Sequence, residues 1–339
     1  MGIDNDKMNI VYAKTNFDND KLDISYEAIN KEKNFASAVV YVRNNENNMK
    51  VFITNLNDVL KANFAKYEII FVNDASTDNS TGEIKEYADT IQNSVISILN
   101  MSYYQGLELS MNAGVDLSIG DFVYEFDTIE IDYDLKVIME VYYQSLGGYD
   151  IVSASSNTKQ KVSSSLFYWV FNKAAKNQYM LGTESFRILS RRAINRVHAM
   201  SKTIPYRKAV YANCGLKLGM VKYDSTKPVV YEKSKNKMSM KQEVAIDALI
   251  LFTDLAYKFT IAMTLLMMLI TVIAAIYAVV IFMIGSPIAG WTTTILFLAF
   301  SFFGLFAILA IIIKFLSILV DLVFKKQKYV FESIEKISK

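Results

Sequence analysis

The sequence predicts an α/β domain built on an open, mainly parallel sheet, followed by an amphipathic helix and two transmembrane helices. Three observations carry this. Short apolar strand signals alternate with helical periods between residue 35 and about residue 151. Acidic clusters sit at the ends of two of those strands. Two charge-free runs, each of about 25 residues, lie near the C-terminus, long enough to cross a hydrocarbon core with some tilt.

Residues 1–34 are rich in Asn, Asp and Lys and lack the apolar stretch of a signal peptide, so they read as an N-terminal extension. Ala38–Val42 is an apolar strand and Met49–Asn63 has helical spacing. Tyr67–Val72 is a second strand, ending in Asn73–Asp78, and Gly82–Gln92 is helical. Val95–Leu99 is a third strand, Gly106–Ser118 a third helix and Asp121–Phe126 a fourth strand. In sheets of this kind ligands bind beyond the carboxyl ends of the strands. Asp74 and Asp78 follow the second strand, and Asp127 and Glu130 follow the fourth.

The spans are Phe259–Met283 and Ala289–Ile313, joined by a short turn that contains Gly285 and Pro287. The turn is uncharged, whereas Lys258, Lys314, Lys325, Lys326 and Lys328 flank the other ends. The positive-inside rule therefore places both termini in the cytoplasm of a cell bounded by this membrane, with a cytoplasmic tail over 314–339. Over Met238–Lys258, within the 234–258 juxtamembrane segment, Glu243, Asp247, Asp254 and Lys258 form a thin polar stripe beside a wide apolar face. Such a helix suits the membrane interface; a core helix of the globular domain is the other reading.

Composition excludes several functions. The net charge of +2 is too small to imply nucleic acid as a partner. The single cysteine, Cys214, permits no internal disulfide. With one histidine beside it, a Cys/His zinc site cannot be assembled. That histidine, His198, lies among Arg192, Arg196 and Lys202 and reads as a surface or packed residue, not part of a triad. Neither span contains an ionisable residue, which argues against a transporter or channel.

The motifs resemble one family. Residues 68–80 (EIIFVNDASTDNS) are similar to the EIIFVDDGSTDNS stretch of family 2 inverting glycosyltransferases with a GT-A fold, a Rossmann-like open sheet that binds nucleotide sugars. Gly106, Glu108, Ala113, Gly114, Asp116, Gly120 and Asp121 match that family's next helix. Residues 148–152 (GYDIV) match its GYDVV strand, and residues 186–191 (FRILSR) the FRLLSR motif of its polyprenyl-phosphate branch. That branch is similar to dolichyl-phosphate mannose synthases and bactoprenol glucosyltransferases. The juxtamembrane helix, two C-terminal spans and residues 328–332 (KYVFE) also resemble it. The resemblance makes residues 35–233 the glycosyltransferase domain.

The resemblance implies transfer of a sugar from a nucleotide diphosphate to a polyprenyl phosphate, at the cytoplasmic face of the inner membrane, for cell-envelope glycan synthesis. It implies donor binding by Arg43, Asn44, Glu46, Asp74 and Ser76. Asp74 matches the aspartate that bonds the nucleotide base; a turn or helix-cap residue is the other reading. Arg43 stands in for a family tyrosine and would approach a donor phosphate, or else is simply solvated. Arg187, Arg191, Arg192 and Arg207 would bind the acceptor phosphate through paired guanidinium hydrogen bonds, unless they line a solvated helix face.

The family's metal motif, Asp-x-Asp, reads here Asp127-Thr128-Ile129. Asp127 keeps the first ligand, while Ile129 cannot ligate. Three readings stand at this point. Asp127, with Glu130 as its catalytic partner or with Asp132, holds Mg²⁺ or Mn²⁺; arginine or lysine neutralises the leaving diphosphate without metal; or the chain is an inactive scaffold in a polysaccharide-synthesis system. Ser185, Lys159 and Lys161 are further departures from the pattern. A homo-oligomer or a flippase-type partner is compatible with any of these.

Overall fold

The computed structural model describes residues 31–90, 95–157, 184–200, 206–226, 290–324 and 329–337, with isolated positions between 259 and 273. The elements run β1 (Ala36–Val42), α1 (Glu46–Asn63), β2 (Tyr67–Asn73), α2 (Ser80–Thr90), β3 (Val95–Met101), α3 (Leu107–Leu117) and β4 (Phe122–Phe126). They continue with α4 (Lys136–Leu146), β5 (Ile151–Ser156), β6 (Phe186–Ser190), α5 (Arg191–Met200), α6 (Arg207–Asn213), β7 (Leu218–Tyr223), α7 (Trp291–Phe324) and β8 (Phe331–Lys336).

The eight strands form one sheet in the order β7-β5-β6-β4-β1-β2-β3-β8. β4, β1, β2 and β3 are mutually parallel. β6 runs antiparallel to β4 and to β5, and β8 antiparallel to β3. Every strand and helix expected up to residue 126 is present, within a few residues of its expected bounds.

Why these residues form a sheet covered on both faces is visible in β1 and β2. Their side chains alternate between two apolar layers. Ala38, Val40, Ile69 and Phe71 meet Phe52, Ile53 and Leu56 of α1 and Val141 and Tyr142 of α4. Val39, Ile70 and Val72 meet Met111 and Val115 of α3 and Ile194 and Val197 of α5. Both strands are therefore near-continuous apolar runs, as parallel strands buried on two faces must be. Chain order reverses between β1 and β4, so the crevice beyond their carboxyl ends is the expected ligand position.

The C-terminal part departs from a simple anchor and tail. Counted over the described side chains, no helix is long and continuously apolar enough to cross a membrane. Of the expected spans, Phe259–Met283 lies largely outside the described residues. Ala289–Ile313 falls on α7, whose side chains are described in part. The interfacial helix over Met238–Lys258 also lies outside them. Residues 314–324 complete α7, and Phe331–Lys336 of the expected tail is β8, which closes the sheet edge at β3. Asn100 donates to Ser333 Oγ (3.1 Å) and Glu335 Oε1 (2.7 Å), and Lys85 pairs with Glu335 at 2.7 Å.

Gly114 is where α3 presses closest on the sheet. A Cβ there would lie 2.3 Å from Val39 Cγ1 and 2.6 Å from Val72 Cγ2. Gly114→Ala should therefore cost about 1–3 kcal/mol through overpacking, seen as a lower denaturation midpoint of the purified chain.

Candidate active site

The loops after β1 and β2 are built as one unit. Asn44 and Ala75 both have φ of 51°. Asparagine tolerates this left-handed region, whereas alanine there costs about 1–2 kcal/mol; the stretch it resembles has glycine at this position. Asn44 Oδ1 accepts the Thr77 N–H (2.8 Å), and the Asn44 N–H donates to Ser76 Oγ (3.2 Å). The two helix starts cap each other. The Glu46 N–H donates to Asp78 Oδ2 (3.0 Å), and the Asn79 N–H donates to Glu46 Oε2 (2.9 Å). These bonds satisfy amides that a helix N-terminus leaves unpaired. Glu46, Asn44 and Ser76, expected as donor contacts, thus fix the loops that form the crevice wall.

Asp74 is fully buried. Its carboxylate accepts the Tyr41 hydroxyl (2.9 Å) and the backbone N–H groups of Gln105 (2.8 Å) and Gly106 (2.9 Å). Burial, reinforced by this carboxylate, pushes the Tyr41 hydroxyl well above its ordinary pKa. Arg43 donates to the backbone carbonyls of Asp74 and Ala75, and its guanidinium lies 4.0 Å from the Tyr104 ring centroid. Asp74 so joins the ends of β1, β2 and β3, while half-buried Arg43 is a cation at the mouth of the crevice.

Beyond β4 lies a buried ion network. Arg187 donates from Nη1 to Glu125 Oε2 (2.7 Å), from Nη2 to Asp127 Oδ2 (2.9 Å) and from Nε to Glu184 Oε2 (3.0 Å). Arg207 donates from Nη2 to Asp127 Oδ1 (2.7 Å) and from Nε to Glu108 Oε2 (3.0 Å). Its Nη1 lies 2.9 Å from Glu125 Oε1, near enough for Coulomb attraction but without hydrogen-bond geometry. Tyr211 donates its hydroxyl to Glu125 Oε1 (2.9 Å). The register explains the pairing, because Glu125 on β4 faces Arg187 on antiparallel β6. Burial alone would push the Asp127 carboxyl up in pKa, but Arg187 and Arg207 outweigh it and hold it well below the usual carboxylate range.

The basic residues grouped by sequence are divided by the fold. Arg187 and Arg207 have side chains only 1% and 0% exposed. They serve carboxylates of their own chain instead of presenting a phosphate site to solvent, because a buried guanidinium cannot shed its charge. Arg191 and Arg192 lie at the far end of β6, about 13 Å along the strand from Arg187 at roughly 3.3 Å per residue. Arg191 donates to the carbonyls of Ser118 (3.0 Å) and Gly120 (2.9 Å), and Arg192 binds Asp150 (2.7 Å).

The residues present do not fit a divalent metal. Both Asp127 oxygens are taken by arginine, and Ile129 is 2% exposed within the apolar core. Asp132 accepts the Tyr223 hydroxyl (2.8 Å), and Glu130 is exposed on the loop. Among the described residues no three carboxylate, histidine or cysteine side chains converge as a metal site. Sequence reasoning missed Glu125 and Glu184 as partners of the arginines. A glutamate inside the apolar strand Phe122–Phe126 was the available signal.

A family model described as Glycosyl transferase family 2 matches residues 37–199, the stretch that carries these loops and most of the network. Residues 37–199 are a family 2 glycosyltransferase domain. Its sheet is mixed, with four central parallel strands. An uncharacterized glycosyltransferase of Synechocystis sp. is 29% identical over 199 residues, covering 56% of this chain and 60% of its own. A putative glycosyltransferase of Bacillus subtilis is 29% identical over 196 residues, covering 56% and 58%. A prophage bactoprenol glucosyl transferase homolog of Escherichia coli is 23% identical over 193 residues, covering 55% and 62%. The matched stretch thus spans about three fifths of these relatives' length. A mannosyltransferase from Pyrobaculum calidifontis, solved with GDP-Man and Mn²⁺, has a TM-score of 0.49 at 11% identity, covering 65% of this chain and 63% of its own.

In the glycosyltransferase domain, removing one member of the ion network leaves its partners charged and buried. Arg207→Met should destabilise the chain by about 3–5 kcal/mol, measured by thermal or urea unfolding, whereas exposed Arg192→Met should leave the unfolding midpoint nearly unchanged.

Proposed function

We propose that this glycosyltransferase is membrane-anchored and inverting, and moves a sugar from a nucleotide-diphosphate donor to a polyprenyl phosphate at the cytoplasmic face of the inner membrane. The observation that carries this is the alignment of the site-bearing stretch with proteins named bactoprenol glucosyl transferase. The chemistry suits the site. A phosphate monoester is already anionic near neutral pH, so the acceptor needs no strong general base. What remains is to hold two phosphate-bearing ligands in line. The rigid loops of Asn44, Asp74 and Ser76 supply a fixed wall for the donor, and Arg43 a cation beside it.

Membrane attachment is supported by α7. Its residues 291–313 carry no charge and rise about 35 Å at 1.5 Å per residue. Several described side chains there, including Phe302 (52%), Leu305 (50%) and Ile313 (65%), are exposed in the isolated chain. A reporter fused at Ser286 should read as external to the membrane and one at Lys339 as cytoplasmic. An external Lys339 would remove access to a cytoplasmic donor and sink the proposal.

Asp127, with an arginine bonded to each oxygen, favours a second reading, an inactive binding subunit of a polysaccharide-synthesis system. Incubating the purified chain with labelled nucleotide sugars and undecaprenyl phosphate, then extracting lipid, separates the two. The enzyme reading expects labelled lipid with at least one donor. No product from any donor, with deletion of the chain still lowering a partner enzyme's output, would establish the subunit reading.

A further inference from the structure

We infer that Asp127 is the fixed counter-ion of two buried arginines and not the ligand of a divalent cation. The glycosyltransferase reading enters only in saying where such a cation would be sought. A hard cation needs carboxylate oxygens at roughly 2.0–2.6 Å, and several of them or waters around it. Asp127 Oδ1 already accepts from Arg207 at 2.7 Å and Oδ2 from Arg187 at 2.9 Å. A cation on either oxygen would sit against a guanidinium, and arginine cannot deprotonate to relieve the repulsion.

Among the described residues no second ligand is at hand. The position two residues on is Ile129, packed in the apolar core. The acidic side chains of the network are engaged: Glu125 with both arginines, Glu184 with Arg187 and Glu108 with Arg207. Removing Asp127 would take the acceptor from the Nη2 group of both Arg187 and Arg207. Asp127 thus fixes the two guanidinium groups through directional bonds.

The test is Mn²⁺ binding to the purified full chain, followed by loss of the free-ion EPR signal, with thermal melts on the same samples. For Asp127→Asn, Mn²⁺ affinity should stay within twofold of the wild type, with absence of binding in both counting as agreement, while the melting temperature falls. Asp127→Ser, smaller and neutral, carries the same comparison if the amide variant does not fold. A folded variant that loses tenfold or more in Mn²⁺ affinity would overturn the inference. So would Mn²⁺ raising the melting temperature of the wild type but not of the variant. Neither readout depends on sugar transfer, so failure here leaves the proposed function standing, and failure of transfer leaves this inference standing.

Discussion

Two guanidinium groups that cannot lose their charge lie inside this domain, and their need for carboxylates organises the half of the sheet that bears the site. Arg187 and Arg207 come from β6 and α6, and their partners Glu125, Asp127 and Glu108 from β4, its end and α3. Four elements are thereby held in one register by directional bonds. A buried pair is weak support for stability by itself, since desolvating the ions costs about as much as their attraction returns. Its effect is on geometry: β6 must lie antiparallel beside β4 with Arg187 opposite Glu125, because any shift strands a charge.

The other half of the crevice uses hydrogen bonds from backbone amides to carboxylates for the same end. The loops after β1 and β2 cap each other's helices through Glu46 and Asp78, and Asp74 gathers the backbone of Gln105 and Gly106 beneath them. Gln105 in turn accepts the Val330 N–H at 2.9 Å, just before β8. The crevice wall is thus continuous from the first strand to the last, and the left-handed alanine at position 75 is carried by this over-determined loop.

Most of the sheet was legible because its strands are apolar on both faces and the helices between them keep a helical period. The loop residues were also legible as a set, through the stretch 68–80. What each does was not. Asp74 and an aspartate aimed at a ligand look alike in sequence, since the donors it meets, Tyr41 and two backbone amides, come from other loops. Arg187, Arg191 and Arg192 read as one basic patch because they are adjacent in the chain. A strand of five residues sends the first to one end of the sheet and the others to the opposite end. The acidic partners of Arg187 and Arg207 are scattered from residue 108 to residue 184, and only the register of β4 and β6 brings them together. β8 was hidden for a different reason: Phe331–Lys336 is a charged, half-polar edge strand, with none of the apolar continuity that marks the central ones.

That last strand has a consequence for how the molecule is made. Asn100 and Ser333 meet across 233 residues of chain. At a ribosomal rate of about 5–20 residues per second, the open edge of β3 waits roughly 10–50 s before its partner leaves the tunnel. During that time the sheet presents unpaired backbone groups, the condition under which strand edges recruit other chains. The polar side chains of β3, Ser97 and Asn100, then stand where a more apolar edge would invite intermolecular pairing. Closure of the sheet therefore waits for the synthesis of β8, long after the strand it covers has been made.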